Sequence, residues 1–450
     1  MKELVKTLRH PRDGAEIRSR IASRSSQIGP DLIQAVAQIV EDVRKRGDRA
    51  VLDATEKWDS VELASIEVGS ADIEAAKAVL SPRVLWALHK ARSRIERVNR
   101  RLVAQSAIRM QRIGPGIVVG EKWGPVSSAG LWVPCRKGPL ASTMLMLAVP
   151  ARVAGVKEIM AATPPREDGS IDPITLAAAG ISGVSRVVRG NGVALIAAMA
   201  FGTESVPRVD AIYGPGPPAI NAAMGYVGIY GVRTGPPMGP SECMVIADGS
   251  SDPAQVAADL LNECEHGPDS SAVLVTDSNA LAEQVSQEIA VAAGDLGEPR
   301  RSYVEKALSQ RGMIVLVSSK REAAEFVNLY APEHLQIALA NGESMRMLGK
   351  IRNAGEILIG QSTPFSAANY AMGITAVLPT GGSASAFSGV TARDYMKSSN
   401  IGALDRSALR GVCEIVSLLG EAEGLPAHVR ACTRKLGSAR SKGHAARRKR

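Results

Sequence analysis

The stretch "LNECEHGPDSS", Leu261–Ser271, places Glu263 and His266 three residues apart beside Cys264, just before a Gly-Pro break. Asp252 and Pro253 read as the N-cap and first residue of a helix, whose apolar stripe runs Val256, Leu260 and then reaches Glu263. A carboxylate on a buried stripe is costly unless it is paired. In the last turn it also meets the unfavourable end of the helix dipole. A nearby cation removes both objections. Glu-x-x-His on one helix is a way of aiming two ligands at one metal. The alternative is a salt-bridged surface pair at a helix end. Cys264 points about 100° away from either neighbour and reads as packing.

Three other segments carry chemistry-bearing residues. "YAPEHLQI" sets Glu333 directly before His334; adjacent side chains diverge, so the two can serve different steps, or mark a helix start with a half-buried histidine. "EAEGLPAHVRA" holds Glu423 and His428 across a Gly/Pro break, and "GPPMGPSE" ends on Ser241 and Glu242, which can face a pocket. Two glycine turns follow β-like runs: "GNGVAL" at 190–195 and "GPGPPA" at 214–219. The second has dinucleotide-fingerprint spacing. Pro217 and Pro218, however, have no N–H to offer a pyrophosphate, which favours a tight structural turn.

These residues need a frame. From about residue 115, short β-branched runs ("KEIMAAT", "SRVVRG", "DAIYG", "CMVIAD", "SAVLVTD", "MIVLVS", "GEILIG") are ended by Gly, Pro or polar residues and separated by helical segments. Such alternation predicts an α/β fold with mostly parallel sheets, and seven strands fit two Rossmann-like domains better than one. Helices are predicted at "PDLIQAVAQIVEDVRKR", stopped by Gly47, at "SPRVLWALHKARSRIERVNRRL", and in an arm after residue 400 suited to packing on another subunit.

The chain has 450 residues, 45% apolar and only 3% aromatic, with a formal charge of +9. Arg434–Arg450 carries eight basic residues and no acid, so the excess belongs to a tail. That tail reads as solvated and disordered, with a nucleic-acid or targeting role as the alternative. Few aromatics argue against base stacking. No run is long enough to span a bilayer, and the N-terminus lacks a signal-peptide core. Five cysteines without a CxxC predict reduced cytoplasmic thiols.

Taken in order, "LWVP", "TMLMLAVPARVAGVKEI", "AFGTESVPRVD", "YGPG", "GPSE", "EHGPDSSAVLVTDS", "APEHLQI", "VLPTGG" and "EGLPAH" resemble the histidinol dehydrogenase family over roughly residues 30 to 435. The resemblance implies an intertwined homodimer that oxidises an alcohol through an aldehyde to a carboxylate, with NAD or NADP and one Zn2+ per subunit. It implies zinc ligands Glu263, His266 and Asn369, with His428 from the partner's arm. It makes Glu333 and His334 the acid/base residues, and puts Ser241, His334 and Glu423 in the substrate pocket. Nicotinamide-cofactor contacts map to Trp132, Ala194 and Pro217. The chain departs from the family pattern at Glu263 (usually Gln), Asn369 (Asp), Thr375-Ala376 (Asn-His), Trp132 (Tyr), Ala194 (Gln) and Pro217 (Asn). The expected domains are 1–131 with 242–389, 132–241, an arm at 390–435 and a tail at 436–450. The expected activity is zinc-dependent oxidation of a small alcohol other than L-histidinol. Its alternatives are L-histidinol oxidation for histidine biosynthesis, or a zinc-binding paralogue without redox activity.

Overall fold

The computed structural model describes residues 4–24, 28–104, 108–340 and 342–437. Two six-stranded sheets dominate it. The first runs, from edge to edge, Lys6–Arg9, Met313–Leu316, Ser271–Thr276, Glu242–Ala247, His334–Ala338 and Glu356–Ile359, every pair parallel. The second runs Glu67–Val68, Arg186–Arg189, Glu158–Thr163, Ser128–Trp132, Ala211–Tyr213 and Arg233–Thr234; only its first pair is antiparallel. Central strands such as Glu242–Ala247 and Ser271–Thr276 are buried along their whole length. That is how strands of a parallel sheet read when both faces are covered.

All seven expected runs form strands. Other strands were not expected, among them three in the two large sheets: Lys6–Arg9, Ser128–Trp132 and His334–Ala338. His334 therefore opens a strand rather than a helix.

The N-terminal helices differ from expectation too. Lys6–Arg9 joins the first sheet, and helix Gly14–Ala22 packs there through Ile17. Helices Pro30–Arg46 and Asp48–Asp59 instead bury Val36, Val40, Val43, Ala50 and Val51 against Trp132, Leu195 and Met224 of the second sheet's core. The cause is composition. Helix Gly192–Phe201 is apolar nearly all round, so it needs cover on the side away from its sheet, and the stripe of Pro30–Arg46 supplies it.

The chain divides into two compact units. One is Met1–Leu102 with Pro125–Tyr395, and the other is Val103–Gly124 with Met396–Arg450. The second unit has a three-stranded sheet (Arg109–Gly114, Ile117–Pro125, Met396–Leu404) and a hairpin of helices Arg406–Ala422 and Pro426–Gly437. Within this hairpin Cys413 and Cys432 form a disulfide, their Cα atoms 5.6 Å apart. This corrects the expectation of reduced thiols throughout: antiparallel packing brings the two positions within bridging distance, which sequence spacing does not disclose. Cys135, Cys243 and Cys264 are free. Of the expected tail, Leu436 and Gly437 complete a helix; residues 438–450 lie outside the described residues. Among the described residues no helix is long and apolar enough to cross a membrane.

Candidate active site

Helix Pro253–Cys264 begins as the sequence predicts, with Asp252 Oδ1 accepting the Ala254 N–H at 2.9 Å and Pro253 at its first position. It buries Val256, Leu260, Leu261 and Cys264 in the first sheet's core. Burial pushes the Cys264 thiol up, so this cysteine is a packing residue. The same stripe carries Glu263 to the foot of the sheet, where it is only 1% exposed.

Polar groups gather around that carboxylate. Glu263 Oε1 accepts from Asn262 Nδ2 at 2.7 Å and from Asn369 Nδ2 at 2.8 Å. Its Oε2 lies 3.4 Å from His266 Nε2 and 3.9 Å from His334 Nε2. Burial alone would raise its pKa, but the His334 and His266 imidazoles and the Asn369 and Asn262 amides together hold it below the usual carboxylate value. Asn369 comes from a π-helical turn, Ala368–Met372. π-turns recur at functional sites because they re-aim side chains.

The amino ends of three neighbouring strands supply the rest. In register, Cys243 lies beside His334 and His334 beside Glu356. Those side chains therefore project from the face that helix Pro253–Cys264 covers. His334 Nδ1 is 2.5 Å from Glu356 Oε1, and its ring meets Phe365 edge-on at 5.8 Å. Nε2 faces Glu333 Oε1 at 3.6 Å. Burial opposes charge on this imidazole, yet Glu263, Glu333 and Glu356 outweigh it and raise its pKa to about 10. Glu333 Oε2 accepts the Glu242 N–H at 2.8 Å. Burial pushes the Glu333 carboxyl well above its usual value, and the charges of Glu263 and Glu242 act in the same direction.

Glu242 is anchored in turn. Its Oε2 accepts from Arg24 Nη1 at 2.8 Å and its Oε1 from the Gly381 N–H at 3.1 Å. The Arg24 guanidinium lies 3.3 Å from the centre of the Tyr330 ring. Ser241 is half-buried, and its carbonyl accepts the Ser271 N–H at 2.9 Å. Sequence reasoning missed Arg24 and Glu356. Arg24 carries no pattern to find it by. Glu356 does: like Glu263 it is an acid set into an apolar run, here "EILI".

Loops at the carboxyl end of the second sheet meet this foot of the first. After strand Ser128–Trp132, Lys137 Nζ bonds Asp269 at 2.8 Å, and Arg300 donates to the carbonyls of both Lys137 and Glu265. The carboxyl ends of parallel strands are the usual ligand-binding edge, and the expected cofactor positions lie there. Only Pro217 is exposed. Ala194 is fully enclosed, and Trp132 is buried with its indole N–H unpartnered. The Val193 and Ala194 N–H groups are taken by Asn191 Oδ1. The edge suits a dinucleotide by position, but Ala194 and Pro217 bring no polar side chain to hold one.

For a metal the donor chemistry fits better. Glu263, His266 and Asn369 converge, and the ion-pair partners of the buried Glu263 are both imidazoles. Carboxylate, imidazole and amide oxygen are all competent donors, although the Asn369 amide must turn its oxygen inward. Among the described residues no three His, Cys, Asp or Glu side chains form a metal cluster, so a further donor is needed. Glu423 and His428 belong to the other unit and are exposed there. Thr375 and Ala376 offer no ring: Thr375 Oγ1 donates to the Val390 carbonyl at 2.6 Å, and the Ala376 N–H points to Met146 Sδ at 3.0 Å.

The sequence model of the histidinol dehydrogenase family matches residues 22–436. A histidinol dehydrogenase of Xanthomonas euvesicatoria pv. vesicatoria is 39% identical over 428 residues, 95% of this chain and 98% of that one. One of Synechocystis is also 39% identical, covering 91% of this chain and 94% of its own. The crystal structure of histidinol dehydrogenase from Elizabethkingia anophelis superposes with a TM-score of 0.91 at 33% identity, over 97% of this chain and 99% of that one.

Proposed function

The chain belongs to the histidinol dehydrogenase family, and on that premise we propose that it is a zinc-dependent, NAD-linked dehydrogenase that oxidises a small alcohol. The observation that carries the reading is the convergence of buried Glu263 with His266 and Asn369 beside the His334–Glu333 pair. Glu263, His266 and Asn369 would hold the metal, with His428 of a second subunit completing the set. Zinc, when bound, supplies Lewis-acid polarisation of a hydroxyl oxygen, and NAD or NADP supplies the hydride acceptor. This chain's residues do the proton work. A cation held by Glu263 would offset the carboxylates that favour imidazolium at His334, and the neutral ring's Nε2 would then take the hydroxyl proton as hydride leaves the carbon. Glu333, held by the Glu242 N–H, would act in its ionised form to activate water for hydration of the aldehyde, and a cation at Glu263 would favour that form, so that a second hydride transfer yields the carboxylate. Ser241 and Glu423 would line the substrate pocket, Glu423 reaching it from the second subunit of a homodimer.

For the substrate, the relatives' shared name favours L-histidinol. A second reading, an alcohol other than histidinol, is supported by Thr375 and Ala376, which stand where the family pattern has Asn-His. The test is NADH appearance from zinc-loaded protein with L-histidinol and with a panel of small amino-, hydroxy- and sulfonated alcohols, run beside complementation of a histidine auxotroph. Turnover of histidinol with complementation sustains the first reading; turnover of another alcohol alone sustains the second. No turnover of any, with no NAD binding by calorimetry, rejects both in favour of a zinc-binding protein without redox chemistry.

A further inference from the structure

We propose that Glu356 is a positioning residue for proton transfer: through its bond to Nδ1 it fixes the His334 ring and its tautomer, so that Nε2 is the nitrogen presented to the reacting hydroxyl. The inference rests on the reading of His334 as the proton acceptor and adds a residue to it.

The geometry carries it in three steps. His334 and Glu356 are register partners on neighbouring parallel strands, so their side chains leave the same face at the same level. Glu356 Oε1 lies 2.5 Å from Nδ1, and the two residues are 7% and 3% exposed. A carboxylate only accepts, so Nδ1 must carry the hydrogen, and in the neutral imidazole, the form that can take a proton, Nε2 is the acceptor. Nε2 points the other way, 3.6 Å from Glu333 and 3.9 Å from Glu263. One ring nitrogen is thus bound to the fold and the other is turned into the site.

A purely structural pair is the competing account, and the energetics count against it. The strand "EILI" enters a core where an apolar residue would pack at less cost. The second oxygen, Oε2, is buried and has no hydrogen-bond partner, which stability alone does not favour. What Glu356 gains for that cost is one short bond to one imidazole nitrogen. Carboxylate–histidine pairs that orient a catalytic base have this arrangement, and replacing their carboxylate by the isosteric amide preserves geometry but lets the ring adopt the other tautomer.

The test is Glu356→Gln in the full-length, zinc-loaded protein, assayed on the panel alcohol that the wild type oxidises fastest. We expect kcat to fall by about 10²–10⁴-fold, with KM, zinc content and melting temperature held, or the melting temperature raised by removal of a buried charge. In a His334→Asn background the same substitution should cost nothing further, because its effect passes through the imidazole. Proton NMR of the wild type should show one far-downfield, slowly exchanging imidazole N–H resonance, lost in Glu356→Gln and in His334→Asn alike. An unchanged kcat, a loss that multiplies with that of His334→Asn, or no such resonance in the wild type each overturns the proposal. If Glu356→Gln fails to fold, Glu356→Asp replaces it, keeping an acceptor for Nδ1, and the wild-type resonance still decides. If His334→Asn retains full activity, or the wild type oxidises no alcohol, it is the functional reading that fails, and the resonance alone decides whether Glu356 holds the ring.

Discussion

Asn369 donates from Nδ2 to Glu263 Oε1 across 2.8 Å, joining a π-helical turn to the end of a helix 106 residues earlier. The pair gives the site one negative charge and one neutral amide. The pattern implied by the family resemblance has the same charge and amide with the positions exchanged, an amide at 263 and a carboxylate at 369. On the proposed ligand set the charge would be transposed from one wall of the site to the other, and zinc accepts a carboxylate oxygen from either side.

Exchange of the two groups should therefore be tolerated, whereas loss of the charge should not. Glu263→Gln leaves two imidazoles and two amides as donors and should lose zinc by more than the ~10–100-fold of an outer-shell change. Glu263→Gln with Asn369→Asp should recover it. Atomic spectroscopy on the purified set decides. Equal zinc in the wild type and Glu263→Gln, or none in the wild type, would refute the assignment.

Glu333 and His334 should separate by step. His334→Asn removes the proton acceptor and should slow the first hydride transfer by about 10²–10⁴-fold. Glu333→Gln can still accept the Glu242 N–H, so the local frame is kept. It should spare the first NADH and slow the second, read as a single-turnover burst of one equivalent followed by a slow phase. Equal slowing of both phases in Glu333→Gln would argue against a role confined to hydration.

Asp259, on the helix that delivers Glu263, is 8% exposed. Burial raises its carboxyl to about 6, against the hydrogen bond from Gln336. A raised acid binds protons more tightly folded than unfolded, so its stability cost grows as pH rises from about 4 to 6 and is complete above that. Asp259→Asn should stabilise the protein at pH 7, by at most about 3 kcal/mol for a shift of about two units. The new amide can also donate to Gln336 Oε1, which is otherwise unpartnered. The gain should vanish as pH falls to 4; a pH-independent change in denaturation midpoint would contradict this.

The Cys413–Cys432 bridge closes a separation of 19 residues. A loop of that size restricts the unfolded chain by about 3 kcal/mol. Reductant should lower the thermal stability of the wild type, and the Cys413→Ser/Cys432→Ser double variant should match the reduced protein and show no further response. If the double variant also responds to reductant, the effect lies elsewhere.

Much of this was legible in the chain. Buried parallel strands announce themselves as short apolar runs, so seven were found. Asp252-Pro253 marked a helix start, and Glu263 betrayed itself as a charge on an apolar stripe. These are local patterns, set by periodicity of 2.0 or 3.6 residues and by the cost of burying charge. Three things were not legible. Which sheet the helices of residues 30–59 cover depends on which core lacks a lid. Whether Cys413 meets Cys432 depends on how two helices pack. That Glu356 stands beside His334 depends on register between strands more than twenty residues apart. The sequence by itself determined most of the buried strands and the family, and it proposed the donor set. Only the tertiary structure decided which groups share a face and a hydrogen bond, because strand register and helix packing are settled by contacts between distant segments, and no spacing along the chain encodes them.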